Sequence, residues 1–450
     1  MSWVQIPSLA PFFYMDAVRY SNQSYGEVVV VNVTVDKIGP CKHRLNIEVP
    51  VEDIKKEYES IVGEFVKHAE ISGFRKGKVP RKMVESRFKD EIIEEMHKRL
   101  ISSSYQESIK KHNLRPVHTP KIDNVKFDLN APLTYTAELE VEPSIALKDY
   151  DGIKIKVKKV SVGDDEKDQY VESLRDAHAT LENIEDRELL IGDYAIIDYK
   201  LQDEEGQEIE KGTSKLIFLD KNQGFLSGVI EKMEGMSIGD SRTMDMTLPD
   251  TYYKKEFAGK NVTIDMTLHE IKQKLLPEVD DNFARNLGKF DNINELMAEI
   301  EKVLLEQKKS QQRADGKQQI SDYLIDKHSF DLPESVVANE TDHVMREFAQ
   351  SQQKTENIDA KKLQKEARQE AEKRVKVAYI LADIAEKERI KVDKREIDVQ
   401  IARMAASFNI NAEHLKSQLI ENGGIYGLQE RILQDKVLDF LFDKAKVTEK

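Results

Sequence analysis

GFRKGKVPRKMVESRFK, residues 73–89, is the stretch from which the rest of the chain is best read. It holds seven bases, Arg75, Lys76, Lys78, Arg81, Lys82, Arg87 and Lys89, against one acid, Glu85, a net of +6. Gly73 and Gly77 bracket Phe74, Arg75 and Lys76, and two glycines permit a tight loop whose side chains point outward. A phenylalanine at such a tip is costly unless a partner covers it. Arg75 offers a planar fork to a carboxylate or phosphate, and Lys76 a point charge. Pro80, a favoured first-turn residue, opens a helix carrying Val84, Phe88 and Ile92 on an i, i+4 stripe. The plain reading is a solvated basic loop before a helix. A nucleotide phosphate loop is excluded, since it needs four residues between its glycines and then Lys-Ser/Thr. Here three residues separate Gly73 from Gly77, and Val79 follows Lys78.

Around the loop, residues 28–142 mix strands and helices. HRLNIEV (43–49) and YTAELEVE (135–142) alternate apolar and polar residues, as half-buried strands do. Ile54, Tyr58, Ile61, Val62 and Phe65 follow helical spacing. Residues 143–190 read as a connector, with a strand over Ile153–Val157 and a charged helix over 165–185. Residues 191–272 turn strand-rich: AIIDYKL (195–201), RTMDMTL (242–248) and VTIDMTLHEI (262–271), with Gly192, Gly206, Gly239 and Gly259 at turns and one short helix near 227–234. From 273 to 450 the pattern is almost wholly helical. Ile293, Leu296 and Ile300 open one helix, and DLPES (331–335) starts another. Val375, Ala378, Ala382 and Ala385 line a third, and Gly423-Gly424 precede the last, with Leu433, Val437, Phe440 and Leu441. No fixed repeat or sustained heptad runs through this region.

The basic charge is local. The 450-residue chain has a net charge of −14, so any polyanion contact must come from a patch. Cys41 is the only cysteine, which excludes an intramolecular disulfide or a Cys-based zinc site and fits a reducing compartment. No run reaches the roughly 18–20 apolar residues that span a bilayer. The first 27 residues lack a basic n-region and a small-residue cleavage site, and Pro7 and Pro11 interrupt their apolar run. They read as a disordered extension, or as a segment ahead of the true start near Val28–Val31. No HExxH, GxSxG or dinucleotide fingerprint is present, so neither a metal nor a cofactor is expected.

GFRKGKVP matches, letter for letter, the ribosome-docking signature of the bacterial trigger factor family. LLPEVDDNFARNLG (275–288) is similar to the segment opening that family's helical domain, and AKVTEK (445–450) to its C-terminal end. The resemblance spans residues 31–450. It implies an α+β multidomain fold: an α+β ribosome-binding domain (28–142), the connector (143–190), an FKBP-like antiparallel β domain (191–272) and an all-α chaperone domain with arms (273–450). It implies an ATP-independent, cytoplasmic chaperone that holds nascent polypeptides and assists folding and export, with links to cell division and a tendency to dimerise when free. Phe74, Arg75 and Lys76 would meet an exit-tunnel protein, with Gly73, Gly77, Lys78 and Pro80 shaping the tip and neighbouring bases on rRNA.

The same resemblance implies a peptidyl-prolyl isomerase pocket of Tyr199, Ile209, Val229, Tyr252 and Ile264. An X–Pro bond rotates over a barrier of about 18–20 kcal/mol. Sites of this type lower it by enclosing the proline in an apolar aromatic pocket, without a nucleophile. Three positions that are usually phenylalanine in the family are aliphatic here, at Ile209, Val229 and Ile264, and Ser227-Gly228-Val229 replaces its Pro-Gly-Phe. Ring stacking is lost, although Phe225 offers a substitute. A weakened isomerase, or a structural arm, is expected. In the helical region Met345, Met404 and Phe408 are candidates for adaptable client surface, or simply core. A dedicated isomerase with helical arms is the competing reading, which the aliphatic pocket disfavours. An envelope chaperone is a third, disfavoured by the docking loop.

Overall fold

The computed structural model describes residues 31–449 apart from Lys76, 221–228, Asp250, Thr251, Lys289 and 352–359. The expected extension over 1–27, the start near Val28, Lys76 at the loop tip, Phe225 and Ser227-Gly228 lie outside these residues. The chain divides into two compact units. One takes the described residues up to Lys159 together with those from Gln311 onward, and the other runs Val160–Ser310.

The first unit opens with β1 (Asn32–Gly39) and β2 (Lys42–Val49), followed by helices α1 (Val51–His68), α2 (Arg81–Arg87) and α3 (Lys89–Lys111), then β3 (Lys121–Asp128) and β4 (Ala131–Glu140). The strands form one antiparallel sheet in the order β1-β2-β4-β3. Leu45, Ile47 and Val49 lie opposite Ala137, Tyr135 and Leu133, so the alternation puts all six on one face. Ile54, Ile61 and Val62 of α1 and Ile92, Met96 and Leu100 of α3 cover that face, each 0 to 1% exposed. Full burial of one such side chain contributes about 1.5–3 kcal/mol. The helix expected from Pro80 is interrupted at Phe88 (φ −110°, ψ 29°), which ends α2 and caps α3. Its ring instead packs 6.0 Å from that of Phe65 on α1. Val84 and Ile92 keep their places on the buried face. β5 (Lys154–Val157) follows.

The second unit begins with α4 (Asp164–Ala177), β6 (Thr180–Ile184), β7 (Tyr194–Asp203), β8 (Glu208–Phe218) and α5 (Val229–Met233). β9 (Ser241–Thr247), β10 (Asn261–Leu275), α6 (Asp281–Asn286) and α7 (Ile293–Lys327) complete it, with α7 running on into the first unit. β10 is the spine of an antiparallel sheet. β7 pairs along one flank; β9 pairs with the first half of the other flank and β6 with the second; β8 lies outside β7. The helix expected over 165–185 therefore stops at Ala177, and Thr180–Ile184 is strand. Its short, largely polar composition hid it, because the ladder to β10 rather than an apolar face holds it. β8 was not legible either. Gly212 and Ser214 (φ +49°) break its alternation and shift its register.

The remaining helices belong to the first unit: α8 (Glu334–Ser351), α9 (Ala360–Glu388), α10 (Lys394–Phe408), α11 (Ala412–Glu421) and α12 (Gly424–Asp443). DLPES does start α8, and the Glu140 carboxylate of β4 accepts from both the backbone N–H (2.9 Å) and the hydroxyl (2.6 Å) of Ser335. Gly423 takes φ +74° before α12. Val375, Ala378 and Ala385 are buried on α9 and Ala382 half-buried. The all-helical expectation fails at the C-terminus, where β11 (Lys446–Glu449) lies parallel to β5 with Val447 beside Ile155. A four-residue strand whose partner lies far back in the chain leaves no periodicity to read. Among the described residues no helix is long and apolar enough to cross a membrane.

Candidate functional sites

The basic loop leaves α1 and enters α2 through a clamped stem. Ala69, Ile71, Val79 and Val84 are buried together against Phe65, Val66 and Phe88. Between Ile71 and Val79 the chain makes two tight turns. Phe74 N–H donates to Ile71 O (3.0 Å) and Lys78 N–H to Arg75 O (2.9 Å). Each turn has glycine third, Gly73 at φ +91° and Gly77 at φ +76°, the conformation type II turns demand and L side chains resist. Between the two turns Phe74 stands 40% exposed.

Of the loop's bases, Arg81 is already engaged. Its guanidinium forks onto Glu59 (2.5 and 2.7 Å) and also meets Glu85 (2.7 Å). The hydrogen bonds from Arg81 hold the Glu59 carboxyl below its ordinary pKa. Arg75, Lys78, Lys82, Arg87 and Lys89 are exposed and have no ion-pair partner among the described residues. The geometry thus sorts one bracing base from five available ones, a distinction the sequence could not make without knowing that Glu59 on α1 faces Arg81.

The second candidate site is in the β10-centred sheet. All five expected pocket residues meet in its core: Ile264 is 0% exposed, Val229 1%, Ile209 7% and Tyr199 8%, with Tyr252 packed against them. Ile264, Val229 and Ile209 are a closed apolar floor. The polar side of the site is Glu210, which sequence reasoning missed. Its Oε1 accepts the Tyr199 hydroxyl (2.6 Å), and its Oε2 accepts those of Tyr252 (2.7 Å) and Tyr253 (2.7 Å). Lys254 Nζ donates to Ile209 O (2.6 Å). Burial works to raise the Glu210 pKa, but the three hydroxyls and Lys254 outweigh it and hold the carboxylate ionised. Burial, reinforced by Glu210, pushes Tyr199 up to about 12.

Gly212, opposite Tyr199 in the β7–β8 ladder, makes room for that ring, since a Cβ there would collide with it. Tyr252 and Tyr253 sit with ring centroids 4.8 Å apart, and Tyr253 remains 68% exposed. The Glu210 carboxylate accepts three tyrosine hydroxyls and is not a free base. The site offers a rim of neutral aromatic rings over an apolar floor. Tyr199 and Tyr252 were named from the sequence; Tyr253, beside Tyr252, was the rim residue it missed.

In the helical region, Phe408 (69%), Ile420 (56%), Val399 (50%) and Ile410 (43%) of α10, α11 and the turn between them stand exposed. Met404 is half-buried, and Met345 packs with Val344, Ala367 and Ala371 as core.

Residues 31–174 match the family model described as bacterial trigger factor protein, and residues 292–443 match that of the trigger factor C-terminus. A trigger factor of Halothermothrix orenii is 31% identical over 425 residues, covering 92% of this chain and 99% of the relative. One of a Geobacillus species is 32% identical over 430 residues, covering 93% and 100%. A solved structure described as "Promiscuous Substrate Recognition in Folding and Assembly Activities of the Trigger Factor Chaperone" is similar in fold, with a TM-score of 0.53 at 19% identity over 91% of this chain and 99% of that one.

Proposed function

Since the chain belongs to the trigger factor family of molecular chaperones, we propose that it docks at the ribosomal exit tunnel through the loop at Phe74 and there receives nascent polypeptides in the cytoplasm. One observation carries this reading: Phe74 is held out in solvent on a stem clamped by Ile71 and Val79, with Arg75 and Lys78 beside it unpaired. Holding an apolar ring in water has a cost that a partner surface removes. Arg75 suits an acidic side chain, and Lys78, Lys82, Arg87 and Lys89 suit rRNA phosphates, whose contacts weaken with salt. Lys76, which completes the family motif, takes the same role. Docking raises the local concentration of chaperone where unfolded chain emerges. The exposed apolar residues around Phe408 supply weak, adaptable client contact, so release needs no nucleotide. A photo-crosslinker at Phe74 tests the reading: a ribosomal protein beside the exit supports it, and products confined to other soluble proteins contradict it.

The middle sheet has the parts of a proline pocket but not a full aromatic lining. Tyr199, Tyr252 and Tyr253 give one wall for a proline ring, while Ile209, Val229 and Ile264 add burial without stacking. This favours a weak isomerase serving the chaperone over a dedicated enzyme. Turnover on a prolyl peptide, compared with turnover on an unfolded proline-limited protein, distinguishes them. A chaperone-linked activity is much faster on the protein; a dedicated enzyme treats both alike.

A further inference from the structure

Two acids occupy core positions in the helical part of the first unit. On α8, Glu340 sits in the stripe Val336, Glu340, Val344 and is 1% exposed. On α12, Glu430 continues the stripe Gln434, Val437, Leu438, Leu441, and its Oε2 is shut away from solvent. Such spacing calls for apolar side chains. The oxygens there outnumber the donors. Glu340 Oε2, Glu430 Oε2 and Gln434 Oε1 are all buried acceptors without a hydrogen bond, and the one internal bond is Gln434 Nε2 to Glu430 Oε1 (3.1 Å). A carboxyl that keeps its proton becomes a donor, which is what a cluster with more acceptors than donors needs.

We propose that the buried carboxyls of Glu340 and Glu430 form a proton-binding site that fastens α12 to the α8–α9 hairpin while protonated and loosens it when the protons leave. Among the described residues no group of three His, Cys, Asp or Glu side chains is arranged for a metal, so the proton is the ligand the donor set fits.

The groups facing the pair are mostly acidic. From α9, Arg374 Nη1 reaches Glu340 (3.5 Å) but is shared with Glu347 of α8 (3.0 Å), while its Nε serves Glu370 (2.9 Å). One cation thus faces three carboxylates. Tyr379 of α9 lies toward Glu430 and toward Glu140, Glu142 and Cys41 at the first sheet. From α10, Glu396 is neutralised by Lys436 of α12, and farther along α12 Asp435, Asp439 and Asp443 pair with Arg313 and Lys317 of α7. Among the described residues no ion pair reaches Glu430, and its charged neighbour is Glu340.

Burial accordingly raises Glu340 to about 7, and burial with the charge of Glu340 raises Glu430 to about 8. Glu430 is still neutral when Glu340 titrates, so the like charges acting on Glu340 are Glu347 and Glu370. Both acids hold protons more tightly folded than in an unfolded chain, where a glutamate titrates near about 4.3. Their stabilising contribution is complete below that value and is lost as pH rises through about 7 and about 8.

Hydrogen exchange on the full chain tests this. After correction for intrinsic rates, protection of α8 and α12 falls between about pH 4.3 and about pH 8, by about tenfold per pH unit for each proton lost on opening, and levels off above about pH 8. In Glu340→Gln/Glu430→Gln it stays flat. Flat protection in the wild type, or the same slope in the double variant, overturns the proposal. Should the double variant fail to fold, infrared spectra of the wild type and of Glu430→Gln decide. A protonated-carboxyl band present at neutral pH, lost on alkalinisation and diminished in the variant, upholds the site; its absence from the wild type at neutral pH overturns it.

Discussion

The Arg81 guanidinium holds the Glu59 carboxylate by two hydrogen bonds, 2.5 and 2.7 Å, tying the start of α2 to α1 directly beneath the loop that bears Phe74. This base braces the loop and is not free to leave it. Replacing Arg81 with alanine is expected to leave most ribosome affinity in place, whereas Arg75→Ala lowers it at least tenfold, the loss of one charge-assisted contact of about 1.5–3 kcal/mol. Affinities of the two variants at equal salt check this. Equal losses would mean that Arg81 matters to the contact as much as Arg75 and is not merely a brace.

The turns impose their own requirement. Gly77 at φ +76° is costly for any residue with a Cβ, by about 1–2 kcal/mol. Gly77→Val is expected to weaken docking several-fold or more while leaving the melting temperature within a few degrees, because the stem stays buried. Calorimetry alongside ribosome binding separates the two effects.

Ile264 is 0% exposed, so restoring the aromatic there does not restore a pocket. Ile264→Phe overfills the core of the sheet and is expected to destabilise it by about 1–3 kcal/mol without raising prolyl isomerisation. A variant that folds as stably as the wild type and turns over faster would show that this position lines an accessible cavity.

Glu210 and Gly212 are positioning residues for Tyr199. Gly212→Ala displaces the ring and is expected to lower kcat/KM on prolyl peptides more than Tyr253→Phe, which keeps its ring. The pH dependence has a definite sign. Tyr199 is raised to about 12, above its unfolded value of about 10, so the stability it contributes is present below pH 10 and lost as pH climbs through 12. Urea unfolding of the wild type and Tyr199→Phe across that range should converge at the alkaline end.

The sequence yielded its amphipathic elements. Leu45, Ile47 and Val49 alternate because one face of the sheet is buried, and the stripe on α1 matches it. It did not yield elements held by ladders alone, such as Thr180–Ile184 and Lys446–Glu449, because their partners lie far along the chain. The basic loop at Phe74 was legible as a motif, but the engagement of Arg81 by Glu59 was not. The resemblance named Ile209, Val229 and Ile264, and all three are buried together in the core of the β10 sheet. Glu210 was not legible, since a single acid after Ile209 looks like the solvent side of a strand until three tyrosines converge on it.

The most direct measurement is co-sedimentation of the chain with ribosomes, wild type against Phe74→Ala/Arg75→Ala/Lys76→Ala, at low and moderate salt. The account predicts that the wild type pellets, less so as salt rises, and that the triple variant stays in the supernatant while retaining its fold. Equal pelleting of both, or of neither, would contradict the assignment of the loop as the docking site.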